Sequence, residues 1–244
     1  MTEIVFGGIG ILLASLLGGA TGFGFGLVAA PTLLAAGLPL REVVAANLTL
    51  ALLTRLAAIW RLRRHLVWPR AARLIGGSVP GILAGLAVRG LLDTGVLKIG
   101  VGLVAIAAAL LIAFRPGDRD AAPAGPATTF AAGAGGGFLG VTTSLNGVPP
   151  ALLLTRDRVE QLSFVADLTL YFIVSNLLTL ALLAGTDPGV LAPLGQYLPF
   201  WLPVGILGNQ LGIRAAHHIP YRVFRGISLT VILAAGCTTI ATAL

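Results

Sequence analysis

The chain has 244 residues, 57% of them hydrophobic and 10% charged, with a formal net charge of +7. Its mean hydropathy is +0.96. Soluble domains carry about 25% charged residues, so a chain this apolar has no water-facing surface to offer, and the soluble enzymes are excluded first.

The basic residues lie in short loops between apolar runs, as the positive-inside rule requires, and this pattern removes nucleic acid as a partner. Cys237 is the only cysteine, so no internal disulfide or cysteine metal cluster forms, and it reads as a small packing residue. There is no H-E-x-x-H, cysteine pair or carboxylate cluster, and no metal or other cofactor is expected.

The first apolar stretch runs from Ile4 to about Gly37. Glu3 precedes it and no Lys or Arg comes before Arg41, so it lacks a signal peptide's basic start and reads as membrane domain. As one helix it would be about 50 Å long, against about 30 Å of hydrocarbon, yet it is too short for two full spans. Its middle, Gly18-Gly19-Ala20-Thr21-Gly22-Phe23-Gly24-Phe25-Gly26, marks a break, and a re-entrant pair of half-helices fits the length. Spans are expected next at Val43–Trp60, Leu74–Val88 and Val96–Phe114, with a basic loop over Arg61–Arg73. A Pro/Gly linker with mixed charge then divides the chain: residues 1–115 form a first membrane repeat, 116–126 the linker and 127–244 a second repeat.

The second half repeats the plan. Thr128–Leu154 is broken by glycines and prolines, and spans are expected at Leu162–Ala184, Leu191–Ile213 and Val223–Leu244. Ala46-Asn47-Leu48-Thr49-Leu50 matches Ala166-Asp167-Leu168-Thr169-Leu170, and Gly81-Ile82-Leu83 matches Gly205-Ile206-Leu207 at a similar offset. Loop charge tests the re-entrant reading. If both broken stretches return to their own side, Arg156, Arg158, Arg214, Arg222 and Arg225 join Arg61–Arg73, Arg115 and Arg119 inside, leaving Arg41, Arg89 and Lys98 outside. If both crossed fully, basic residues would divide almost evenly, which the positive-inside rule disfavours. The expected fold is an all-α polytopic membrane protein of two inverted repeats, each a re-entrant broken-helix hairpin plus three transmembrane helices. Both termini then lie outside, and the expected location is the cell inner (plasma) membrane. Such inverted repeats with broken helices are a recurring transporter plan, with the site near the midplane.

In this arrangement the sequence resembles the sulfite exporter TauE/SafE family over nearly the whole chain. The resemblance is carried by Gly22-Phe23-Gly24-Phe25-Gly26-Leu27-Val28-Ala29-Ala30-Pro31, Asn146-Gly147-Val148-Pro149-Pro150 and Gly37-Leu38-Pro39-Leu40-Arg41-Glu42. The basic loop Trp60–Arg73, Gly205-Ile206-Leu207-Gly208-Asn209-Gln210-Leu211-Gly212 and His217–Arg225 complete it. The resemblance implies transport of a small anion, often sulfur-containing: sulfite, sulfoacetate or another organosulfonate. Val141-Thr142-Thr143-Ser144 departs from the family, which has more glycines there, and changes the polarity of the second opening.

Candidate binding residues cluster at the two breaks: Thr21, Gly22, Gly24 and Gly26 in the first, and Thr142, Thr143, Ser144, Asn146 and Gly147 in the second. A helix N-terminus there presents N–H groups and the positive dipole end to an anion, while glycine lets it approach. Asn47 and Asp167 occupy matching positions inside spans. Asp167 is the clearest intramembrane acid, a candidate to carry a coupling proton, bind a cation or pair with Arg55, with a structural hydrogen bond or salt bridge as its alternative. Arg55, near the inner end of its span, either serves as the substrate's counter-charge or snorkels out. Thr49, Thr169, Ser175, Asn176, Asn209 and Gln210 are candidate cavity lining, with interhelical hydrogen bonding as their structural alternative. His65, His217 and His218 read as solvated loop residues, and Gly77, Gly81, Gly85, Gly208 and Gly212 as helix-packing faces that also suggest a homodimer. The expected function is secondary transport of a small anion by alternating access, with proton coupling or, alternatively, as a passive anion channel. No nucleophile with a nearby base argues for an enzyme.

Overall fold

A computed structural model describes residues 2–88, 123–143, 146–186, 189, 191–216 and 218–241, with 99, 103, 106, 107, 110 and 113 as isolated helical positions. The described residues contain helices and turns and no strand. The helices are α1 (Thr2–Thr21), α2 (Phe25–Ala35), α3 (Leu40–Leu62), α4 (Trp68–Val88), α5 (Pro126–Thr143), α6 (Val148–Arg156), α7 (Gln161–Thr186), α8 (Leu198–Ala216) and α9 (Tyr221–Ala241). The span expected at Val96–Phe114 falls outside the described residues apart from those isolated positions, as does most of the 116–126 linker. Four helical segments are long and apolar enough to cross a membrane: Glu3–Thr21, Glu42–His65, Trp68–Val88 and Gln161–Gly185.

Each broken stretch forms a hairpin of unequal arms. The sequence led us to expect two half-helices. Instead α1 has 20 residues, about 30 Å, and α2 has 11, about 16 Å. In the second half α5 has 18 residues and α6 has nine. The first turn is set by Gly22, which takes the left-handed conformation (φ +84°) and donates its N–H to the Gly18 carbonyl at 2.8 Å. That is the αL way of ending a helix, which a Cβ disfavours. The short arms then double back. Gly18 lies against Phe25, Gly10 against Thr32 and Gly7 against Leu33; in the second hairpin Gly140 lies against Asn146 and Gly135 against Pro149.

The basic loop is shorter than expected. α3 continues to Leu62, Arg63–His65 form one 3₁₀ turn, and α4 starts at Trp68, so Arg70 and Arg73 belong to its first turns. Pro69 suits the first turn of a helix, where no N–H partner is required of it. The span expected from Leu191 likewise begins later, at Leu198, after a 3₁₀ turn over Ala192–Gln196 around Pro193.

Glu160 caps α7, its carboxylate accepting from the N–H groups of Leu162 (3.0 Å) and Ser163 (2.9 Å). Partial burial pushes its carboxyl up, but these donors, the Ser163 hydroxyl and nearby His65 outweigh that and hold it below the usual range. Cys237, expected to be packed, is exposed on α9.

Two helix pairs dominate the packing, α4 with α5 and α1 with α8, while α3 packs on α7. Both dominant pairs are built on glycine. On α4, a Cβ at Gly77 or Gly81 would strike the carbonyl of Phe130 or Ala134, and Gly133 and Gly137 of α5 face Leu74 and Ser78 just as closely. In the other pair Gly208 and Gly212 face the Leu12 and Leu16 carbonyls. Helices in lipid gain association from such close backbone contact. Gly81→Leu is therefore expected to force α4 and α5 apart and to cost at least about 1–3 kcal/mol, as overpacking does. A lowered melting temperature and earlier aggregation in detergent would report it, and a native melting curve would contradict it.

Candidate functional site

The two hairpin turns meet at a small, partly open cavity. It is lined from the first break by Phe23, Phe25 and Gly26, from the second by Asn146, Gly147 and Val148, from α3 by Asn47, Leu48, Ala51 and Arg55, and from α7 by Phe172 and Asn176. The start of α2 and the start of α6 both lie in its wall. Gly26 and Gly147 are glycine because of crowding: a Cβ on Gly26 would sit 2.8 Å from the Asn47 amide, and one on Gly147 would sit 2.7 Å from the Phe172 ring.

Arg55 is 3% exposed. Its Nη1 donates to Thr169 Oγ1 at 3.4 Å, and its guanidinium carbon lies 4.2 Å from the centre of the Phe172 ring, within cation–π range. Among the described residues no carboxylate pairs with it. A buried cation without an acid is costly unless an anion joins it. The expectation that Arg55 snorkels out, or pairs with Asp167, is thus corrected: the side chain turns inward onto α7.

Around this charge stand three amides. Asn146 Nδ2 donates to Asn176 Oδ1 at 2.8 Å. Asn47 is 4% exposed, and its Oδ1 has no partner. Rotating the amide by half a turn would present a donor at that position instead. Tyr171 holds the second break in place from behind, its hydroxyl donating toward the carbonyls of Asn146 (3.4 Å) and Gly133 (3.5 Å).

Of the sequence candidates, Gly26, Asn47, Arg55, Asn146, Gly147 and Asn176 come together here. Others are placed elsewhere. The Thr21 hydroxyl donates to the Leu17 carbonyl (2.8 Å) and accepts from the Gly24 N–H (3.3 Å), so Thr21, Gly22 and Gly24 build the turn. Thr142 donates to its own helix at Phe138 (2.9 Å). Ser144 and the Thr143 side chain lie outside the described residues. Thr169 touches the cavity only through Arg55, and the Thr49 and Ser175 hydroxyls are buried without a partner. Asn209 and Gln210 tie α8 to α3, donating to the carbonyls of Thr54 and Ala57, each at 3.2 Å.

Asp167 is fully buried and away from the cavity wall. Its Oδ1 accepts from the Val67 N–H at 2.9 Å, and its Oδ2 pairs with Arg70 Nε. The sequence reading missed Arg70 as the partner. It also missed the aromatic wall of Phe23, Phe25 and Phe172; phenylalanine alternating with glycine in the first break is a signal for the first two, and Phe172 has none.

Several helices long and apolar enough to cross a membrane define a multi-pass membrane protein. Comparison with protein families gives its kind: the model of the sulfite exporter TauE/SafE family matches residues 7–239. The chain belongs to that family, one of membrane transporters for sulfur anions. No curated protein and no solved structure matches the chain.

Proposed function

We propose that the protein carries small sulfur-containing anions such as sulfite or an organosulfonate across the plasma membrane by alternating access, holding them in the cavity between the two hairpin turns. The observation that carries this reading is Arg55, a buried guanidinium at the cavity wall with no acid beside it among the described residues. Neutral amides and two helix starts add dipoles of the same sense.

The two-repeat plan supports alternating access. Residues 1–115 and 127–244 would be inverted repeats, each opening with a re-entrant hairpin. Three features agree with this: short arms that double back in both halves, a Thr21–Leu17 hydrogen bond matched by Thr142–Phe138, and exchanged packing in which each half's opening helix lies on a helix of the other half. In that reading both termini face outside. A rocking of one pair, α4–α5, against the other, α1–α8, would open the cavity to either side.

Counterflow in proteoliposomes tests the reading. Vesicles holding the protein and unlabelled sulfite should accumulate labelled sulfite or a labelled alkanesulfonate, while empty vesicles do not. If a folded sample moves no sulfite and no sulfonate, the proposal fails.

A further inference from the structure

We infer that the species bound is the monoanion, so that for sulfite the protein takes hydrogensulfite and rejects the dianion. This rests on the anion-transporter reading above.

The cavity wall holds one full positive charge, Arg55, and otherwise neutral groups. Among the described residues no second cation lines it. Of the ionisable residues with described side chains on the elements packed around Arg55, Glu42 and Arg61 of α3, Arg156 of α6, Arg214 of α8 and the Arg63–His65 turn do not reach the cavity, and α2 carries none. On α7, Asp167 is held by Arg70, and Tyr171 turns its hydroxyl to backbone carbonyls. A monoanion beside Arg55 gives a neutral buried pair. A dianion leaves one negative charge without a counter-charge in the wall, and the amides of Asn47, Asn146 and Asn176 supply dipoles, not charge. The apolar half of the wall, Phe23, Phe25 and Phe172, has nothing to offer a second charged oxygen but suits an S–H, S–OH or S–CH₃ group. The proton of hydrogensulfite would then travel on the substrate, and no carboxylate in the cavity is needed to carry it.

Methanesulfonate and sulfate make a matched pair of probes. Both are tetrahedral and similar in size, and their charges stay fixed at one and two over the working pH range. Titrations of the native protein in detergent should show methanesulfonate binding at least tenfold more tightly than sulfate. Sulfite's apparent affinity should fall about tenfold per pH unit above the pKa of hydrogensulfite, following the monoanion, while that of methanesulfonate stays flat. Equal binding of sulfate and methanesulfonate, or sulfite affinity that rises with pH, overturns the charge inference and leaves the transporter reading standing. If no anion binds to folded protein, the transporter reading falls and the inference with it.

Discussion

Replacing Arg55 with Gln should abolish most transport without unfolding the protein. A substrate anion would lose its only charged partner, and truncating one member of a buried charge pair costs about 2–5 kcal/mol, which is about thirtyfold or more in affinity. The stability effect should run the other way. Without substrate, the guanidinium is a buried cation with, among the described residues, a hydroxyl at 3.4 Å and an aromatic face to compensate it. Removing a poorly compensated charge relieves its desolvation, so Arg55→Gln should melt at or above the native temperature in detergent. An added sulfonate should stabilise the native chain and not the variant, because only the native state gains ligand. Arg55→Lys keeps the charge but loses the planar contact with Phe172, and an intermediate activity is expected. A merely structural arginine predicts the opposite pattern, with both substitutions lowering the melting temperature. Normal counterflow by Arg55→Gln would remove Arg55 from the site.

The places of the two breaks were legible because glycine runs within an apolar stretch are difficult to explain otherwise in lipid, where irregular backbone must be buried or line a cavity. Their exact turns were not. Gly18, Gly19, Gly22, Gly24 and Gly26 all tolerate a left-handed residue, and local propensity does not choose among them. Tertiary contact does: Gly22 abuts Val165 of α7, and Gly26 lies under the Asn47 amide. The turn at Gly22 makes α1 long and α2 short, and this brings α2's start to the cavity.

Polar residues were harder to sort than helices. Position in a span says that Asn47 and Asp167 are buried, and both are. Which of them faces the cavity depends on neighbours a hundred residues away. Arg70 lies 97 positions from Asp167 in the chain and claims it as a partner. Arg55 and Asp167 were natural partners on charge alone, yet Arg55 reaches Thr169, two residues further along α7 and thus on another face of the helix. Hydroxyls that looked like ligands, Thr21 and Thr142, satisfy their own helices, as threonine commonly does where water is absent.

Asp167 yields the second large effect, on stability. Its carboxylate clamps the start of α4 to α7 through the Val67 N–H and Arg70. Asp167→Ala would leave both donors without that acceptor, and Arg70 already has one buried nitrogen, Nη2, without a partner. Breaking a buried pair costs about 3–5 kcal/mol, and the 23% exposure of the Arg70 side chain lets water recover part of it, so about 2–4 kcal/mol is expected. The melting temperature in detergent should fall clearly, and by less in the Asp167→Ala, Arg70→Ala double variant than the two single losses add up to. Asp167→Asn separates a clamp from a proton carrier. The amide oxygen still accepts from Val67, so a clamp predicts modest destabilisation, with counterflow keeping its native pH dependence. A coupling acid predicts that Asp167→Asn exchanges substrate but no longer responds to a pH gradient. Since the cavity wall contains Asn47 at the matching position and not Asp167, the first result is the one expected, with the clamp holding the α3–α4 turn fixed while the pairs around the cavity move.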